Sequence, residues 1–258
     1  MPEEARMPLT QHLAELRKRL IVSFIAIAVG FLICYAFADK LFEILMLPWI
    51  HSMPEGQAAK LIYTAPHEAF FTYMKVAFIG GVLLAVPVIL LQIWRFVAPG
   101  LYTHEKRYLL PIIVFSSLCF LAGSFFGYFV AFPAGFRFFA SFATEYITPM
   151  MRTSEYLAFA SRMLFGFGIA FELPVFAYFL GKVGILSAGF LKKKRKIAIV
   201  LIFIAAAGLT PGPDVMSQLL MAGPLLVLYE LSVWLVYFTA RKSASKEVVE
   251  QEQPDSTG

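Results

Sequence analysis

Charge is scarce in this chain. Asp, Glu, Lys and Arg make up 15% of its 258 residues, against roughly 25% in soluble globular proteins. Histidine occurs four times and cysteine twice. That leaves too few ligands for a metal cluster and no disulfide framework. Cys34 and Cys119 each lie in an apolar run, where a thiol behaves as a small hydrophobe. Catalytic motifs are missing as well. His-Glu occurs at His67-Glu68 and His104-Glu105, but a metalloprotease helix needs a second His three residues after the Glu. Phe71 and Tyr108 stand there instead. There is no G-x-S-x-G and no phosphate-cradling G-x-x-x-x-G-K. The residues point to no enzyme, no cofactor and no metal.

Apolar side chains fill the space. They are 59% of the chain, and the mean hydropathy is +0.73. Exchanging Tyr for Gly in that count gives about 61%, where soluble proteins have roughly 45–50%. A soluble domain and a disordered chain are both excluded, and an all-α polytopic membrane protein is expected. The net charge of +5 then reads as topology rather than as nucleic-acid binding.

A span needs about 20 mostly apolar residues. Six stretches qualify or nearly so, at about 20–38, 76–94, 109–133, 163–181, 197–210 and 215–238. They form one membrane domain over 1–240, and the polar tail 241–258 is expected to be disordered and cytoplasmic. The last two spans are short, and Pro211-Gly212-Pro213-Asp214 breaks the chain between them. Sixteen of the 22 basic residues fall in the N-terminus, 95–107, 182–196 and the tail. The positive-inside rule therefore places both termini in the cytoplasm. The run Lys192-Lys193-Lys194-Arg195-Lys196 is the strongest anchor, and it also suits anionic headgroups. Ala36-Phe37-Ala38 resembles a signal-peptide cleavage site, but the 19 apolar residues before it exceed the usual 7–15.

The outer segments 39–69 and 137–161 are long enough for short helices. Their aromatics, Trp49, Tyr146 and Tyr156 among them, suit a membrane interface. Gly123-x-x-x-Gly127 reads as a close-packing motif, more often within one chain than between two.

Few polar residues remain inside the spans. Glu172 stands mid-span, so it should face the bundle interior or a wet cavity. Glu230, deeper into the amphipathic end of the last span, is a second membrane-buried candidate. In the N-terminal segment, Leu9, Leu13, Leu16 and Leu20 form one helical stripe. Glu15 lies beside it, three residues before Lys18 and four before Arg19. A surface ion pair is one reading. The other is a ligand site, because Glu105 is a second acid held among bases on the same side. Two carboxylates grip an arginine best, since its planar fork bonds bidentately.

The segment His12-Leu13-Ala14-Glu15-Leu16-Arg17-Lys18-Arg19-Leu20 resembles the H-L-x-E-L-R-x-R-L motif of the TatC family, the core of the twin-arginine protein translocase. Pro48 matches that family's first outer-loop proline. Residues 92–102, His104-Glu105-Lys106-Arg107 and Phe171-Glu172-Leu173-Pro174 resemble its second-span exit, its first cytoplasmic loop and its fourth-span F-E-x-P. Residues 210–218 resemble its T-P-x-D-x-x-S-Q hairpin, with one residue inserted at Gly212-Pro213.

The resemblance implies a receptor for twin-arginine signal peptides of folded cargo. Such a receptor works in the bacterial inner membrane with single-span TatA-like and TatB-like partners, self-associates in the complex and uses the proton-motive force. It implies contacts to the arginines from Glu15 and Glu105, with Leu16, Arg17 and Phe96 beside them. Partner helices are expected near Glu172, Thr210, Gln218 and Glu230, and Pro48 and Asp214 are expected to be structural. Two other classes stay open on the residues alone. One is a proton-coupled transporter relaying through Glu172; the other is an intramembrane enzyme, for which no residues can be named.

Overall fold

The computed structural model describes residues 9–53, 60–97, 109–142, 150–210 and 215–251. Asp214, Glu105 and Tyr146 lie outside them. The helices are α1 (Leu9–Tyr35), α2 (Ala38–Ser52), α3 (Pro66–Val97), α4 (Leu109–Phe126), α5 (Phe132–Ala140), α6 (Thr153–Lys182), α7 (Ala188–Leu209) and α8 (Val215–Gln251). A five-residue π segment, Gly127–Ala131, joins α4 to α5. Two strands, β1 (Leu61–Ile62) and β2 (Met151–Arg152), pair in parallel.

Among the described residues, five helices are long and apolar enough to cross a membrane: Thr10–Tyr35, Pro66–Phe96, Leu110–Ala140, Thr153–Lys182 and Gln218–Thr239. The sixth, α7, begins at Ala188, ahead of the basic run, and only its stretch 197–209 is continuously apolar, so the expected short fifth span holds. Many large side chains point outward: Phe24 and Leu32 are each 67% exposed. In water that surface would drive aggregation; against acyl chains it is matched. The chain forms two compact units, Met1–Gly168 and Ile169–Gly258, which part within α6.

In the first unit α1 and α3 meet backbone to backbone. A Cβ added at Gly30 would lie 2.5 Å from the Gly81 carbonyl oxygen, and one at Gly81 would lie 2.5 Å from the Phe31 nitrogen. Gly127 of the G-x-x-x-G motif does the same against α6, where a Cβ would come within 2.7 Å of the Met163 carbonyl oxygen. The motif is therefore intramolecular packing, as read. One turn earlier the Ser124 hydroxyl donates to the Leu164 carbonyl at 3.1 Å.

The first outer segment is helical, and its proline has a structural consequence. Pro48 sits inside α2 and has no N–H to give the Ile44 carbonyl. The Tyr128 hydroxyl, from the π segment, donates to Ile44 O instead. The Tyr156 hydroxyl, from α6, donates to the neighbouring Leu45 carbonyl. Two helices thus satisfy the carbonyls around one break, which Pro48 was expected to serve structurally. Trp49 and Tyr156 are not interfacial as expected. They are 3% and 0% exposed and pack with Phe132, Phe136 and Phe159 in an aromatic cluster. Periodicity could not separate an interface aromatic from a core one.

Tyr128→Phe is expected to cost about 1 kcal/mol of stability, read by unfolding the detergent-solubilised protein. Pro48→Ala restores a donor for Ile44 O, so in that background the Tyr128 substitution should cost less. Equal costs in both backgrounds would contradict the division of labour.

In the second unit the α7–α8 hairpin is braced by side chains. Ser187 caps α7, its hydroxyl accepting from Phe190 N at 3.1 Å. The Tyr229 hydroxyl donates to Leu191 O at 2.8 Å. Helix α8 also runs beyond the expected span, to Gln251. Residues 241–251 contain neither proline nor glycine; low hydrophobicity suggested disorder there, but helix propensity carries the last turns on.

Candidate functional site

The N-terminal half of α1 lies beside the C-terminal end of α3, and the Gly30–Gly81 contact sets their register. Arg19 is eleven residues before Gly30 and Gln92 eleven after Gly81, so in this antiparallel pair they fall level. Arg19 Nη1 donates to Gln92 Oε1 at 3.3 Å. Arg19 Nη2 donates to Glu15 Oε1 at 2.6 Å, an i,i+4 ion pair. Further along, the His12 ring stacks on Phe96 with centroids 4.4 Å apart. Trp94 is wholly buried and its Nε1 donates to Ser116 of α4 at 3.0 Å. That contact ties the end of α3 to α4.

Of the expected binding residues, Glu15, Leu16, Arg17 and Phe96 share this one corner. Glu15 and Leu16 are half-buried and Arg17 is exposed. Glu15 therefore makes the surface ion pair of the first reading, with Arg19 rather than Lys18. That does not remove it as a ligand: a carboxylate has about four acceptor positions, and this one already shows that it grips a guanidinium. Gln92 as Arg19's second partner and His12 as Phe96's were missed. Helical spacing on each segment could not reveal them without the register between segments.

Two of the residues expected near partner helices, Gln218 and Glu230, bond to α7 within the chain. Gln218 Nε2 donates to Phe203 O at 2.8 Å and staples α8 to α7. Thr210 ends α7, its N–H bonding Ala206 O at 3.0 Å, and it is buried. Glu172 is buried on α6, as its mid-span position required. Glu230 is not buried. Its carboxylate meets Arg195 at 2.7 Å, and both side chains are more than two-fifths exposed. The basic run is helical within α7, and its Arg195 reaches Glu230 of α8.

Glu68 was passed over once the metalloprotease pattern failed. Its carboxylate is nevertheless held by two other segments of the first unit. Its carboxylate accepts from Thr64 N at 3.0 Å and Ser154 N at 3.1 Å, with Arg152 at 3.8 Å. These bonds clamp the segments that carry β1 and β2 to the start of α3.

Comparison with known proteins agrees along the chain. The family model for TatC, Sec-independent protein translocase protein, matches residues 11–224. A Sec-independent protein translocase protein TatC from Desulforapulum autotrophicum is 49% identical over 98% of this chain and 93% of its own length. One from Magnetococcus marinus is 44% identical over 97% and 91%. A crystal structure of the twin arginine translocase receptor TatC superposes with a TM-score of 0.80 at 41% identity, covering 88% of this chain and 99% of that one. Helix order, the α1–α3 corner and these matches place the chain in the TatC family of Sec-independent protein translocase proteins.

Proposed function

We propose that this TatC protein, a membrane translocase component and not an enzyme, receives the two arginines of a signal peptide at the α1–α3 corner. Glu15 and Glu105 are the carboxylates that hold them. Leu16, Arg17 and Phe96 line the same place, and the His12–Phe96 stack offers an apolar shelf. The observation that carries the reading is the 2.6 Å Arg19–Glu15 contact. In the unliganded chain this carboxylate already holds a guanidinium, and part of it still faces solvent.

The crowding of basic residues supports both termini, and this corner, on the cytoplasmic side of the inner membrane. Folded cargo then crosses outward, driven by the proton-motive force. Single-span TatA-like and TatB-like partners and further copies of this chain complete the pathway. The α7–α8 hairpin, with the short apolar stretch of α7, suits their docking. Gln218 and Thr210 brace that surface from within, and Glu172 serves as a buried polar anchor for it.

The test uses purified full-length protein in detergent. A fluorescent peptide carrying Arg-Arg is titrated against the same peptide carrying Lys-Lys. Strong preference for Arg-Arg, lost in Glu105→Ala, is expected, because two bidentate forks outbid two point charges at paired carboxylates. Equal affinities would overturn the site.

A further inference from the structure

A groove of about 510 Å³ runs between α1 and α3 on the outward-facing side of the first unit. Its walls are Phe24, Ile27 and Phe31 from α1 and Met74 and Phe78 from α3, with Phe71 and Lys75 toward the start of α3. A second, polar cleft of about 270 Å³ adjoins it, sharing Phe71 and Lys75 and adding His67, Glu68 and Arg152. The apolar slot and the polar cleft therefore meet at Phe71 and Lys75.

The register gives the length. Lys75 is six residues outward of Gly81 and Phe24 six residues inward of Gly30, so at 1.5 Å per residue they are about 18 Å apart along the bundle. One leaflet of hydrocarbon is about 15 Å deep, half of about 30 Å. Lys75 also directly precedes the charge-free stretch 76–94, which places its ammonium at the edge of the hydrocarbon. It is exposed and has no ion-pair partner among the described residues. Glu68 is not within ion-pair distance of Lys75; its Oε1 accepts from Ser154 N and its Oε2 from Thr64 N, and Oε2 lies 3.8 Å from Arg152. Arg152 spends one donor on Thr64 Oγ1 at 2.8 Å and keeps others.

We propose that this composite groove binds one anionic phospholipid from the leaflet on the β1–β2 side. One acyl chain lies along Phe31, Ile27 and Phe24, and the phosphate sits on Lys75 with Arg152 behind it. The inference is independent of signal-peptide binding, which takes place at the other end of α1 and α3.

Native mass spectrometry of the full-length protein, released from nonionic detergent with equal phosphatidylglycerol and phosphatidylcholine, tests it. Preferential retention of phosphatidylglycerol is expected. Lys75→Gln should cut that preference about fivefold, the worth of one basic side chain at a lipid surface. Lys40→Gln, exposed on α2 and outside the groove, should leave it unchanged. Phosphatidylglycerol with a photoreactive group on its acyl chain should label residues 24–31 and 71–78 of the unaltered protein. Equal retention of both lipids, an unaffected Lys75→Gln, or labels spread evenly over all exposed helices would overturn the proposal. Displacement by soluble glycerol phosphate would overturn it too, by making a free anion the ligand.

Discussion

Glu15→Lys is expected to abolish binding of a two-arginine signal peptide, a loss of about a hundredfold or more. A hydrogen bond to a charged group contributes about 1.5–3 kcal/mol, which is ten- to a hundredfold in affinity. Lysine removes that bond and adds a positive charge beside Arg17 and Arg19, where the peptide's arginines must approach. Glu15→Gln keeps an acceptor and adds no charge, so its loss should stop near tenfold. The protein should stay folded in both, because Arg19 keeps Gln92 and a single i,i+4 helix pair contributes only about 0.3–0.5 kcal/mol. Peptide titration with a parallel unfolding curve reads both effects. Undiminished binding in Glu15→Lys would remove Glu15 from the site and leave it as a plain surface ion pair.

Gly81→Ala is the substitution expected to harm the fold most, by about 3 kcal/mol, at the upper end of what overpacking costs. The added carbon would meet Phe31 N at 2.5 Å, Phe31 Cα at 2.7 Å and Gly30 C at 2.8 Å. All three are backbone atoms, so no rotamer change relieves the clash and α1 must move off α3. That movement also separates Arg19 from Gln92 and His12 from Phe96, so peptide binding should fall along with stability. Gly208→Ala is the control: nothing lies within 4 Å of its added carbon, and alanine is the better helix former. An unchanged unfolding transition in Gly81→Ala would mean that the two helices are not in this close contact.

Much of this could be read from the chain. Charge-free runs located the helices, because hydrocarbon tolerates little else. Glu15 and Arg19 were legible as a pair because four residues bring two side chains together on any helix. What stayed hidden depends on distance along the chain. Tyr128 and Tyr156 bond carbonyls 84 and 111 residues away, and a tyrosine's local surroundings do not say which carbonyl lacks a donor. Gln92 became Arg19's partner only through a glycine contact between two other positions. Glu230 was misplaced because its burial depends on where a neighbouring basic run points. Glu105 lies outside the described residues, and its assignment rests on the motif.

The π segment Gly127–Ala131 carries a consequence for counting. A π turn holds one residue more than an α turn spends on the same advance, and one residue is about 100° of helix rotation. Up to Gly127 the buried positions are 113, 116, 117, 120, 123, 124 and 127; beyond it they fall at 131, 132, 135 and 136. The stripe has skipped one place. That slip alone turns Phe132 and Phe136 toward Trp49 and Tyr156 while Gly127 stays against Met163. The number of residues between Gly127 and Phe132 is therefore fixed to the unit, whereas exposed Phe129 and Val130 are free to vary in kind. A lost residue here is a larger change than a replaced one.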